Sequence, residues 1–211
     1  MKVLGISGSP RKGGNTEILL DRTLDAASKA GAEVELVRVS DKNIHHCDGC
    51  NACVRTGECR IKDDMQDIYG KLLEADGIVF ATPVYVWSMT GQLKIFLDRT
   101  YALSFPGSRL ANKVGGSIVV AGRQGHQLTQ SLFYLYFSAG HMIAADWVNG
   151  FAWEKGGIAK DKHALNAASE LGKQVVLLIK QGFKFPEEYA TSIYRYVPKE
   201  YGVPMSPIDQ L

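Results

Sequence analysis

Apolar positions along the chain gather into five short runs, each followed by a polar turn and, in most cases, a stretch with helical spacing. The runs are KVLGIS (2–7), EVELVRV (33–39), GIVFAT (77–82), VGGSIVVA (114–121) and MIAADWV (142–148). Runs this short, rich in Val and Ile, predict strands buried on both faces. Between them, residues 15–30 place Ile18, Leu19, Leu24 and Ala27 at near-helical intervals. MTGQLKIFLDRTYAL sets Leu93, Phe96 and Leu97 on one side and Lys94 and Asp98 on another, and residues 161–182 form a long amphipathic closing helix. Strand alternating with helix predicts parallel strands joined by right-handed crossovers.

Five such units suit an α/β fold with a doubly wound, flavodoxin-like five-stranded parallel sheet of order 2-1-3-4-5. At 211 residues the chain is long enough for one well-buried domain and short for two. That domain is expected over 1–182. Two segments break the plain repeat. One is a cysteine-rich insertion after strand 2, over 43–62. The other is a C-terminal extension over 183–211, rich in Tyr and Pro and without a clear period. It reads either as a wrap around the domain or a neighbouring subunit, or as a partly disordered tail.

Charge changes the picture little. The formal net charge is +2, and no Lys/Arg run forms a stripe, which argues against a nucleic-acid partner. No apolar segment reaches membrane-spanning length, so no membrane partner is expected. The chain opens directly on a strand without a signal-like segment, and a cytoplasmic location is the default expectation.

Ligands of open α/β sheets sit beyond the carboxyl ends of the strands, so the loops that follow strands 1, 3 and 4 carry the chemistry. The first is SGSPRKGGNT (7–16). Its serines, glycines, Asn15 and Thr16 precede a helix, and Arg11 and Lys12 add positive charge. Backbone N–H groups converging at a helix N-terminus suit a phosphate monoester. The loop lacks the spacing of the dinucleotide fingerprint and of the P-loop; the plainer reading is a capped polar turn. After strand 3, Thr82, Pro83, Tyr85, Trp87 and Ser88 line the same edge and offer aromatic surface and backbone amides to a flat heteroaromatic ring. After strand 4, Gly122 and Gly125 allow close backbone approach, beside Arg123 and His126; the plainer role of His126 is to cap a helix. A phosphate site and a ring site on one edge point to FMN.

All four cysteines, Cys47, Cys50, Cys53 and Cys59, fall within thirteen residues, spaced Cys-x2-Cys-x2-Cys-x5-Cys. Asp48-Gly49 and Gly57 supply bends. Three close thiolates and a trailing fourth suit a 4Fe–4S cluster. Structural zinc, which favours two separated pairs, and simple thiols are the competing readings. His45 and His46 read as exposed loop residues. CRIKDDMQDIY reads as a helix start with Asp63 or Asp64 near its N-terminus rather than as a catalytic carboxylate pair. No classical acid or base is expected, and no residue is assigned a catalytic role.

GSPRKGGNT, TPVYVWSMTGQLKIFLDR and GRQGH resemble the NADPH-dependent FMN reductase branch of the flavodoxin-like superfamily over about residues 1–182. Combined with the cysteine spacing, the chain resembles the iron–sulfur flavoproteins of anaerobic archaea and bacteria. The resemblance implies an FMN phosphate held by Ser7, Ser9, Arg11, Asn15 and Thr16. It implies an isoalloxazine bordered by Pro83, Val84, Tyr85, Val86, Trp87 and Ser88, with Gly122 toward its other side. It implies a 4Fe–4S cluster on Cys47, Cys50, Cys53 and Cys59. It further implies an FMN-dependent oxidoreductase that takes single electrons from ferredoxin or another one-electron donor and passes them to an acceptor such as oxygen, peroxide or a quinone. Homodimers pairing into homotetramers would bring cluster and flavin of different subunits close, and the LKIFLDR helix resembles the family's subunit-packing segment. The alternative is an NAD(P)H-dependent reductase of flavin, quinones or nitro compounds whose cysteines are structural or bind zinc.

Overall fold

The structure, a computed structural model, describes residues 1–186. The part of the expected C-terminal extension beyond Pro186 lies outside the described residues. Five parallel strands, β1 (Lys2–Ser7), β2 (Glu33–Arg38), β3 (Gly77–Pro83), β4 (Val114–Ala121) and β5 (Ile143–Phe151), form one sheet in the order β2-β1-β3-β4-β5. The order is the one read from the chain. The edge strand β5 runs three residues further than its apolar run, because Asn149, Gly150 and Phe151 keep pairing with β4.

Period-2 alternation sends successive strand side chains into two separate apolar layers. On β3, Ile78 and Phe80 join one layer, whereas Val79 and Ala81 join the other. The first layer is covered by α3 (Met65–Glu74), α4 (Gly91–Arg99) and α5 (His126–Ala139). Its centre is aromatic: Phe80 stacks on Phe133 at 5.7 Å and meets the edge of Tyr136 at 5.6 Å. The second layer is covered by α1 (Asn15–Lys29) and α6 (Lys162–Gln181). These two helices touch backbone to backbone at Gly172, where an added Cβ would fall 2.1 Å from the Thr23 carbonyl oxygen.

The register fixes where loops emerge. Ser7 pairs with Arg38 and Ala81, Pro83 with Val120, and Ala121 with Phe151. The strands therefore end together, and the loops after all five lie along one edge. The cysteine stretch leaves this edge after β2 through a short 3-10 turn, Val39–Asp41, and contains one short helix, α2 (Ala52–Thr56). Cys53 and Val54 of α2 anchor it by joining the layer under α3 and α4.

Candidate functional site: an edge cavity and a cysteine loop

The loop after β1 is built as a tight turn. Ser9 Oγ accepts the Arg11 N–H at 3.2 Å, and the Gly14 N–H donates to the Arg11 carbonyl at 3.0 Å. The N-cap of α1 is Gly14, which has no side chain to cap with. The first N–H groups of α1 are therefore free of an intrahelical acceptor, the arrangement that suits an anion. Glu17 is buried behind the loop, where its carboxylate accepts the Gly13 N–H at 2.5 Å and pairs with Arg38. Thr90 ties this loop to the next: its hydroxyl donates to the Gly8 carbonyl at 2.7 Å, and its N–H donates to Thr82 Oγ1 at 3.2 Å.

The loop after β3 makes a two-residue turn. Tyr85 and Ser88 exchange backbone hydrogen bonds of 2.8 and 3.3 Å around Val86 and Trp87. Both central residues have positive φ, 46° and 72°, the geometry of a type I′ turn that Asn-Gly would adopt without strain. A β-branched valine in that region is an outlier. Val86 and Trp87 are also 92% and 60% exposed, so packing does not explain them.

These loops enclose a cavity of about 290 Å³ at the sheet edge. Ser9, Arg11, Asn15 and Thr16 line one end, and Pro83, Val84, Tyr85 and Gly122 line another. The remaining expected flavin residues lie apart from its lining. Ser7 is buried in β1 with a hydroxyl that has no partner among the described residues. Val86, Trp87 and Ser88 stand in the turn beside Tyr85. The third wall comes from the loop after β5: Ala152, Trp153 and Lys155. The Trp153 indole lies against Gly122, where an added Cβ would fall 2.2 Å from ring carbon Cε3. Asn15 positions this wall. Its amide donates to the Glu154 carbonyl at 2.7 Å, and its side-chain oxygen accepts the Ile158 N–H at 3.3 Å. His126 opens α5 but does not cap it; its ring bonds the Gly150 carbonyl at 2.9 Å and packs on Phe151.

The four cysteines are free thiols: Cys47 and Cys50 exposed, Cys59 half-buried and Cys53 buried. Gly49 and Gly57 make their expected bends with φ of 69° and 72°. Burial pushes the Cys53 thiol up, and the neighbouring Cys59, Cys47 and Cys50 push it further. Arg60 pairs with Asp48 across the loop, and Asp48 Oδ1 accepts the Cys50 N–H at 3.2 Å. Among the described residues, no group of three or more His, Cys, Asp or Glu side chains is gathered closely enough to hold a metal ion. The donor set has the number and type of ligands that an iron–sulfur centre takes; their gathering is left to the metal. His45 and His46 are exposed, as their loop position suggested. α3 begins at Met65, whose N–H donates to Asp63 Oδ1 at 3.0 Å.

The family model for NADPH-dependent FMN reductase matches residues 1–154, from β1 through the loop after β5. An iron–sulfur flavoprotein of Methanocaldococcus jannaschii is 38% identical over 190 residues, covering 85% of this chain and 98% of its own. One from Methanosarcina thermophila is 36% identical over 180 residues, covering 83% of this chain and 93% of its own. The chain belongs to the iron–sulfur flavoproteins. Among solved structures, RosB with a bound formylated riboflavin phosphate intermediate superposes with a TM-score of 0.73 at 21% identity, over 86% of this chain and 79% of its own. At that identity the likeness speaks for the fold.

This iron–sulfur flavoprotein is an FMN-dependent oxidoreductase, and its edge cavity fits that cofactor. One end offers Arg11 and helix N–H groups that lack an intrahelical acceptor for a phosphate. The other offers aromatic surface from Tyr85 and from Trp153, whose indole lies directly against Gly122. Trp153 and Lys155 were not expected from the sequence. They sit in a loop with no recognisable motif, and only a strand β5 extended to Phe151 brings them to the edge. An aromatic followed by a base just past the last strand, AWEK at 152–155, is the signal available in hindsight.

Proposed function

We propose that the chain passes single electrons through a 4Fe–4S cluster on Cys47, Cys50, Cys53 and Cys59 to FMN in the edge cavity, and on to an acceptor such as oxygen, peroxide or a quinone. The carrying observation is that four free thiols, spaced Cys-x2-Cys-x2-Cys-x5-Cys, occupy one loop leaving the same sheet edge that bears the cavity. When bound, the pair of cofactors supplies one-electron transfer on one side and two-electron chemistry on the other. The protein's own task is placement. Ser9, Arg11 and the opening of α1 hold the phosphate. Tyr85, Trp153 and the Gly122 backbone confine the ring. The strained Val86–Trp87 turn stands exposed at the rim, where a second copy of the chain can cover it.

Ferredoxin or another small one-electron donor suits the exposed position of Cys47 and Cys50. A homodimer or homotetramer suits the exposed Leu128, Leu132 and Leu135 on α5, spaced to share one helix face. Free thiols in this number belong in a reducing cytoplasm, and no helix among the described residues is long and apolar enough to cross a membrane. The test is purification without oxygen, followed by visible and EPR spectra with iron and sulfide analysis. Brown protein with about four irons per chain supports the reading; yellow protein without iron, under reconstitution with iron and sulfide, overturns it.

A second reading has one observation in its favour, which bears on its structural-thiol form: among the described residues the cysteines are not gathered into a metal-ready group. It is a NAD(P)H-dependent FMN reductase with cysteines that are structural or bind zinc. Anaerobic mixing with NADPH separates the two. Rapid bleaching of the flavin without a mediator, unchanged by Cys50→Ala, favours direct hydride transfer.

A further inference from the structure

Arg99 closes α4, and its side chain is wholly buried. Nη1 donates to the His45 carbonyl at 2.8 Å and to Asp63 Oδ2 at 2.6 Å. Nη2 donates to Asp63 Oδ1 at 3.1 Å and to the Ile61 carbonyl at 3.3 Å. Asp63 also accepts the His45 N–H at 2.9 Å. One step out, Asn43 and Asp64 join the same two strands of chain: the Asn43 N–H donates to Asp64 Oδ2 at 2.7 Å, and the Asp64 N–H donates to the Asn43 carbonyl at 3.3 Å. His45 stands two residues before Cys47, and Ile61 two residues after Cys59. The cysteine loop thus leaves and returns through one neck, and a single guanidinium fills it.

A buried ion pair is a poor way to gain stability, since desolvation offsets most of the attraction. A planar fork is, however, the one side chain that can bind a carboxylate and two carbonyls together. Beside it, the Tyr69 hydroxyl donates to the Arg99 carbonyl at 2.8 Å, and Cys59 packs against the apolar layer that holds Tyr69. Arg99 Nε has no partner among the described residues, while Nη1 and Nη2 reach the loop backbone at His45 and Ile61.

We propose that Arg99 is the positioning residue of the cysteine loop: it fixes the neck that sets Cys47 and Cys59, and its buried charge raises the reduction potential of a cluster held there. The second half rests on the reading of the four cysteines as cluster ligands. Two variants separate geometry from charge. Arg99→Lys keeps the charge and loses the fork, whereas Arg99→Met with Asp63→Asn removes both charges together. Hydrogen exchange on the iron-free full chain reads the neck alone. The Asn43 and His45 amides should exchange at least tenfold faster in Arg99→Lys than in the parent; equal rates overturn the staple. The cluster is then reconstituted anaerobically with iron and sulfide. Arg99→Lys should lose iron to a chelator faster, with a midpoint near the parent's, while the double variant should titrate at a lower potential by EPR-monitored titration. An unchanged potential in the double variant overturns the electrostatic role. A parent chain that takes up no iron overturns the cluster reading itself, and the exchange result still judges the staple.

Discussion

Trp153 and Gly122 meet at the mouth of the edge cavity so closely that a single methyl group on the glycine would lie 2.2 Å from the indole. Neither neighbour can absorb such an overlap without moving, and Trp153, 77% exposed, is the freer of the two. Gly122→Ala is therefore expected to push Trp153 off its wall while leaving the fold intact. If that wall confines the flavin ring, FMN affinity should fall about tenfold, equivalent to ~1.4 kcal/mol. Fluorescence titration of the flavin-free protein checks this; an affinity equal to the parent's would show that the ring does not rest there.

Asn15 was expected to face a phosphate and instead spends both ends of its amide on the loop after β5. The two roles are compatible, because it also lines the cavity. Asn15→Ala removes two hydrogen bonds, each worth about 0.5–1.5 kcal/mol net. Global stability in urea should drop by ~1–2 kcal/mol. The loop carrying Trp153 and Lys155 should loosen as well. Asn15→Asp keeps the acceptor for Ile158 but turns the donor to Glu154 into a repulsion, so it should lose flavin affinity more than Asn15→Ala does.

The sheet was legible because its signal is local and repeated: β1, β3 and β4 are buried on both faces as expected, the edge strands β2 and β5 keep apolar runs although they are partly exposed because no strand flanks them on the outer side, and the helices between the runs carry their own period. Strand order followed from the five-unit pattern. The phosphate loop and the ring loops were legible because they follow β1, β3 and β4, and the parallel topology alone brings them to one edge. Trp153 was not legible, since its place depends on β5 continuing through the weakly apolar Asn149–Gly150–Phe151. Nor was Arg99, which in the LKIFLDR pattern looks like any charged residue at a helix end. Its burial depends on Asp63, thirty-six residues earlier, and a partner that distant leaves no periodic trace. The gathering of the four thiols also lies beyond any spacing argument: proximity in sequence supplies the donors, and metal coordination supplies the geometry.

The Arg99–Asp63 neck carries a pH signature. Burial opposes the Asp63 charge, but the Arg99 guanidinium and the His45 and Met65 N–H groups outweigh it and hold the carboxyl below its ordinary value of 3.8. A carboxyl depressed in the folded state contributes stability above its unfolded pKa and loses that contribution as pH falls through the folded value. The neck should therefore be fully held above about pH 4 and open progressively in stronger acid. Asp63→Asn should remove this part of the acid sensitivity. At neutral pH it should cost about 3–5 kcal/mol, because it strands a buried cation. Denaturant midpoints measured from pH 3 upward, parent against variant, test both signs.

The Val86–Trp87 turn gives the opposite trade. Both residues hold positive φ, which costs an L-residue about 1–2 kcal/mol each relative to glycine. Both side chains point into open surroundings, so the folded core gains little from them in return. Strain kept at a rim beside a cavity marks a site where those side chains have another use. Replacing Val86 with Asn and Trp87 with Gly supplies the residues that a type I′ turn prefers. The double variant should unfold at higher denaturant, by ~1–2 kcal/mol, with the Tyr85–Ser88 backbone bonds intact. It should also hold flavin less tightly or associate less with a second copy, since it has lost the exposed isopropyl group and indole. Equilibrium unfolding, flavin titration and sedimentation of the same sample separate these effects. A variant that is more stable and unchanged in both binding measurements would leave the strained turn without a role in the flavin site or the subunit contact.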